Sequence, residues 1–190
     1  MPNEFWPPWV VRFSRWMAWI SGGIVIVSSV MIGIDVAARS FLGHGLVDSF
    51  EITSYGLAIS FAFGLPYSVI TGAHIRIGGL ERFKRRILDR IGDLAAFSSM
   101  ALFALFLAYY SVETVADSLS SAAKSNSTLG APIAIPQGLW AFGLVLFAAV
   151  SVFGLIRASQ WMARYRVENI VRAATVNHDP EPKRQEEILK

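Results

Sequence analysis

The chain is predicted to be an all-α integral membrane protein with four transmembrane helices and both termini in the cytoplasm. Three observations predict this. It has 190 residues, of which 54% are hydrophobic and only 16% charged, where soluble domains carry about 25% charge. Its charges are gathered between four long charge-free windows. Its Lys and Arg residues fall almost entirely on one side of the membrane that those windows define.

A helix needs about 20 apolar residues to cross the hydrocarbon core. The first window runs from Trp16 to Ile34, the second from Ile52 to Ala73 and the third from Leu94 to Val112. The fourth charge-free stretch, Ser125 to Ile156, is longer and is broken by Pro132 and Pro136. Proline suits a first helical turn, so this span is expected to begin near Pro136. The resulting organisation is an interfacial segment 1–15, a four-helix membrane domain 16–156 with spans near 16–37, 50–73, 94–112 and 136–156, and a cytoplasmic, partly disordered tail 157–190. The charged tail from Asn177, with Pro180 and Pro182, is the disordered part. Arg12 and Arg15 resemble the basic start of a signal peptide, but the apolar run that follows exceeds the usual 7–15 residues. It is read as a retained span.

Orientation follows from the basic residues. The N-terminal tail holds two, the loop after the second span six and the C-terminal tail seven, against one each, Arg39 and Lys124, in the other two loops. The positive-inside rule places the rich side in the cytoplasm. Trp6, Trp9, Trp16, Trp19, Trp140 and Trp161 lie near span ends, as do Tyr109 and Tyr110. Amphipathic rings favour that depth.

In the outer loop, Asp35 and Arg39 are spaced i, i+4 with the acid first, which suits an intrahelical pair. Asp48 and Glu51 read as a capping box for the second span, with Glu51 alternatively a contact for a partner subunit. In the basic loop, Leu80, Phe83, Ile87, Ile91 and Leu94 recur at helical spacing. Arg82, Lys84, Arg85, Arg86 and Arg90 fill much of the remaining circumference. This predicts an amphipathic basic helix between spans two and three, lying against anionic headgroups; an extension of span three is the alternative. Gly56, Ser60 and Gly64 recur every four residues in span two, where small side chains allow a close helix contact.

The functional classes narrow by what is missing. Charged groups inside a bilayer mark ion paths and substrate sites, and the central parts of the four spans have none. Cysteine is absent, which removes thiolate metal sites and thiol nucleophiles. Of three histidines, His178 is in the tail, while His44 and His74 fall on opposite sides of the membrane. No catalytic residue, metal site or cofactor is expected. A scaffold for another subunit fits better than an autonomous transporter or a haem-binding or quinone-binding respiratory anchor.

The stretch FGLPYSVITGAHIRIGGL from Phe63 resembles the end of span two in the small permease subunits of TRAP (tripartite ATP-independent periplasmic) transporters, the DctQ-like family. The matching motif residues are Gly72, His74, Ile75, Arg76 and Ile77. Glu51 stands about where that family places a glutamate opening the span. The segment SNSTLGAPIAIPQGLW resembles the family's approach to span four, with Ile135-Pro136 its most recognisable pair. Gly78-Gly79 and Ser49-Phe50 depart from the family pattern, and Pro132 is additional to it. The resemblance implies a stable complex with a large multi-span membrane subunit that holds substrate and sodium sites. It also implies transient contact with a periplasmic substrate-binding protein, and uptake of an organic acid across the inner membrane. Glu51, Gly72, His74, Arg76 and Pro136 are the candidate contact or interfacial residues. The small subunit of a tripartite tricarboxylate transporter is the neighbouring alternative.

Overall fold

The computed structural model describes residues 6–45, 49–72, 86–125 and 130–176; for residues 86–91, 93 and 164–176 it describes the backbone alone. Among them are four helices: α1 (Pro8–Leu42), α2 (Ser49–Thr71), α3 (Arg86–Ser120) and α4 (Ala134–Val176). All four are long and apolar enough to span a membrane.

The helices overrun the charge-free windows, with α2 the exception. At 1.5 Å per residue the 35 residues of α1 extend about 52 Å, against a hydrocarbon core of about 30 Å. Pro8 opens α1 in its first turn, where a missing N–H costs nothing. Gly43 closes it at φ 76° and donates its N–H to the Arg39 carbonyl, the left-handed cap that glycine adopts without strain. Helix α2 ends at Thr71, short of the expected residue 73, because Gly72 turns out of the helix at φ 67°. Helix α4 continues twenty residues past the expected end at Ile156. No proline or glycine lies between Arg157 and Val176 to stop it.

The expected basic helix is found in part. From Arg86 to Leu94 the segment is helical, but it forms the first turns of α3 rather than a separate element. Residues 75–85 lie outside the described residues.

Helix α1 packs on α2, α2 on α4 and α4 on α3. Helix α4 therefore touches two neighbours, and its Leu144 and Phe147 are almost completely enclosed. Ala101, Ala104, Ala108 and Ser111 are the buried residues among the described side chains of α3. The α2–α4 contact is a close one. A Cβ on Gly143 would lie 2.7 Å from the Ala62 Cβ and 2.9 Å from the Ala62 backbone carbon. Pro66, four residues on in α2, is buried and cannot donate a helical bond to the Ala62 carbonyl.

The α1–α2 seam is different in kind. Ser14, Ser21, Ser28 and Asp35 recur every seven residues along α1, and all but the half-buried Ser21 are buried. The Ser21 hydroxyl donates to the Ser60 carbonyl at 2.7 Å. Gly56 faces Ser28 and Gly64 faces Ser21. The Gly56, Ser60 and Gly64 spacing is thus the α2 half of this seam. At the end where the chain enters, Trp6 stacks on Phe153 at 5.8 Å between centroids and helps bury Val10 and Val69.

Gly143→Ala should therefore lower the unfolding temperature in detergent, at a cost of about 1–3 kcal/mol from overpacking. Gly138→Ala, where a Cβ meets nothing within 4 Å, should be neutral or stabilising by up to about 1 kcal/mol.

Candidate functional site

The buried acidic side chains among the described residues sit at the end of the bundle away from the termini. Asp35, on the last turns of α1, is 6% exposed. Its Oδ2 accepts from Arg39 Nε at 2.7 Å and from Ser49 Oγ at 2.7 Å. The expected i, i+4 pair is present, and Ser49 ties it to the first residue of α2. The start of the connection between the helices, at Gly45, lies against the pair. A Cβ on Gly45 would lie 2.9 Å from Asp35 Oδ1 and 3.2 Å from Arg39 Nε.

Glu51 is in the first turn of α2 and is buried. Its Oε1 accepts from the Tyr55 hydroxyl at 2.6 Å, one turn along the same helix. The Ser125 side chain stands beside the Tyr55 hydroxyl. Ser125 belongs to a tight hairpin between α3 and α4. There Lys124 pairs with Pro132, Ser125 N–H donates to Ala131 at 2.8 Å, and Ile133 N–H donates to Ala123 at 3.2 Å. Ala122 and Gly130 take positive φ to turn the chain. Two short polar chains stand at this end: Arg39–Asp35–Ser49 holds α1 to α2, and Glu51–Tyr55 runs along the first turns of α2 with Ser125 of the hairpin beside it.

Among the described candidates, Glu51 and Gly72 stand at opposite ends of α2. Glu51 is buried within its own chain, and Asp48, its expected capping partner, lies outside the described residues. Gly72 is exposed at the opposite end of α2. His74, Arg76, Arg82, Lys84 and Arg85 lie outside the described residues, and Arg86 and Arg90 are described only as backbone of α3. Pro136 stands half-buried in the first turn of α4. Sequence reasoning missed Ser49, Tyr55 and Ser125. The i, i+4 spacing of Glu51 and Tyr55 was the available signal for one of these contacts.

The cluster holds the start of α2 in place. Its carboxylates are occupied by partners in the chain itself, and the central parts of the described spans carry no charged side chain. Hydroxyls within the spans bond largely to carbonyls of their own helices, as Ser60 does to Leu57 and Ser68 to Leu65.

A model of the family described as "Tripartite ATP-independent periplasmic transporters, DctQ component" matches residues 28–160. The chain belongs to the DctQ family. The match runs from the middle of α1 into α4 and includes both polar chains. No curated protein and no solved structure matches the chain. As a DctQ protein it is the small subunit of a TRAP transporter, a multi-pass protein of the inner membrane, and a member of a transporter-component family rather than an enzyme family.

Tyr55→Phe removes the donor to a buried carboxylate and the hydroxyl that stands beside Ser125 of the hairpin. It should destabilise this DctQ chain by about 1–3 kcal/mol and speed proteolytic cutting between residues 121 and 133. Tyr109→Phe, at a ring that is 65% exposed, should do neither.

Proposed function

We propose that this DctQ chain is a static scaffold for a large multi-span membrane subunit, which carries out sodium-coupled uptake of an organic acid. A periplasmic binding protein delivers that substrate and touches the complex only transiently. The observation that carries the reading is the contrast between the two polar chains and the spans. Every buried carboxylate described lies at one end, engaged by Arg, Ser or Tyr of the same chain. No charged group is left at mid-depth to bind a carboxylate or a cation. A chain so arranged supplies shape and anchorage, while transport chemistry resides in its partner.

In this reading the termini are cytoplasmic and the polar chains face the periplasm, following the bias of Lys and Arg. The basic run Arg82, Lys84, Arg85, Arg86 and Arg90 then faces the inner leaflet, where cationic side chains meet anionic headgroups. Glu51 supports the scaffold from within by fixing Tyr55. Gly72, His74, Arg76 and Pro136 remain the contact or interfacial candidates.

In-frame deletion of the chain should abolish binding-protein-dependent uptake of a labelled organic acid, with the large subunit gene intact and expression in trans restoring it. Undiminished uptake in the deletion strain would overturn the scaffold reading. A phosphatase active only in the periplasm should stay silent when fused after Val176 and be active when inserted in the hairpin.

A further inference from the structure

The N-terminal half of α1 is held at its tip by one aromatic ring and joined to the rest of the helix by two adjacent glycines. The helices pack in the order α1–α2–α4–α3, so α1 stands at one end of the row with α2 as its main neighbour. Trp6, just ahead of α1, reaches α4 instead. Its ring stacks on Phe153 at 5.8 Å between centroids and 30° between planes. A Cβ on Gly154 would lie 3.0 Å from Trp6 Cη2 and 2.8 Å from Phe97 Cε1. Gly154 is therefore a notch in α4, filled by Phe97 of α3 and by Trp6. The Arg157 guanidinium lies 5.5 Å from the Phe153 centroid, and a cation over a ring adds to such a stack. Trp6 is 8% exposed although it precedes the first helix.

The approach of Trp6 is fixed by its neighbours in sequence. Pro7 caps α1 at φ −59° and ψ 139°, and Pro8 follows in the first turn. The Pro7 carbonyl accepts from the Val10 and Val11 N–H groups at 3.0 and 3.2 Å. A residue before proline is confined to extended backbone. Trp6 therefore leaves the helix in one direction and loses little freedom when its ring is seated.

The other end of this half is weak. Gly22 and Gly23 follow Ser21 near the middle of α1. A Cβ on either would meet nothing within 4 Å, so neither is glycine to admit a neighbour, as Gly56, Gly143 and Gly154 are. Glycine inside a helix weakens it relative to alanine, and Gly/Ser pairs are where helices bend. Gly33 is open in the same way but stands alone. Ser21 ties α1 to α2 just before the glycines, through the Ser60 carbonyl. One repeat nearer the tip, Ser14 is buried, but its hydroxyl bonds nothing among the described residues. It gives the seam no polar tie there, and its burial without a partner is costly.

We propose that residues 8–21 form an arm hinged at Gly22–Gly23 and latched by the Trp6 ring in the Gly154 notch. The arm is about 21 Å long. Latched, it closes the N-terminal half of the seam and buries Val10, Ser14 and Met17. Unlatched, it swings away from the bundle, while the part of α1 beyond Gly23 stays fixed to α2 by Asp35 and Ser49. The rigidity that a scaffold needs is then conditional on one ring.

The chain has no cysteine, so single introduced thiols report on the arm without background. In the full chain extracted in mild detergent, Ser14→Cys, at a site 1% exposed, should react slowly with a water-soluble maleimide. Adding Trp6→Ala, which empties the notch, or Gly154→Ala, which fills it, should raise the rate about tenfold, the size of one stacked aromatic pair. Trp9→Ala, at a ring 70% exposed, should not. A second thiol, Ala38→Cys, marks the fixed half of α1; Ala38 is buried, and this thiol should stay slow in every variant. Alanine at both Gly22 and Gly23 stiffens the helix and should return the Trp6→Ala rate most of the way to the parent value. Fast labelling of Ser14→Cys with Trp6 in place, or a slow rate that neither Trp6→Ala nor Gly154→Ala raises, would mean that Trp6 is no latch. Faster labelling of both thiols in Trp6→Ala would mean that the chain loosens as a whole, and a rate unmoved by the alanine pair would place no hinge at the glycines. Each of these results overturns the proposal.

Discussion

Lipid tails are as apolar as leucine, so helices in a bilayer gain little from hiding leucine against leucine. Association has to come from backbones that approach closely and from polar groups that find each other. This constraint explains the residues at each contact. The α2–α4 contact depends on Gly143 against Ala62, with no room for a Cβ. The α1–α2 contact depends on Ser21 reaching the Ser60 carbonyl, on Gly56 beside Ser28, and on Asp35 bonded to Ser49. The many large side chains left open, from Trp9 to Tyr110, would be a liability in water but are what a bilayer requires.

Much of this was legible in the sequence, for physical reasons. Charge-free windows locate spans because charge is costly in hydrocarbon, and all four coincide with helices. The Asp35–Arg39 pair was legible because it is local to one helix. The small residues of α2 announced a close contact, though not that α1 supplies it. The helix ends were less legible. Searching between charges stops at Arg157, but a helix leaving the membrane carries arginine freely, so α4 runs on to Val176. For the same reason the second half of the basic segment merges with α3. The approach of Ser125 to Tyr55 brings together residues seventy positions apart, and nothing local marks it. Serine at every seventh position of α1 was overlooked because serine in a span bonds its own helix as readily as a neighbour's.

The polar chains and the bare spans fit one division of labour within a TRAP transporter. Carboxylates buried at the bundle's end fix connections that would otherwise be loose, and they leave the four spans with a defined set of surfaces. In the proposed scaffold reading, charges satisfied within the chain leave it no group that competes for the transported solute, and its contribution is to hold a shape against which another subunit works.

The seven-residue repeat of Ser14, Ser21, Ser28 and Asp35 has a consequence for sliding. Seven residues fall about 20° short of two full turns of a straight helix, so a seam with that period winds left-handed and keeps α1 against α2 across the whole bilayer. Three of its four members are interchangeable small alcohols, so a slip of α1 along α2 by one repeat would exchange one serine for another. Asp35 is the member that does not repeat. A slip of one repeat, seven residues or about 10.5 Å, would draw its carboxylate off Ser49. A single acid at the end of an otherwise repetitive seam therefore sets the register of the helix pair.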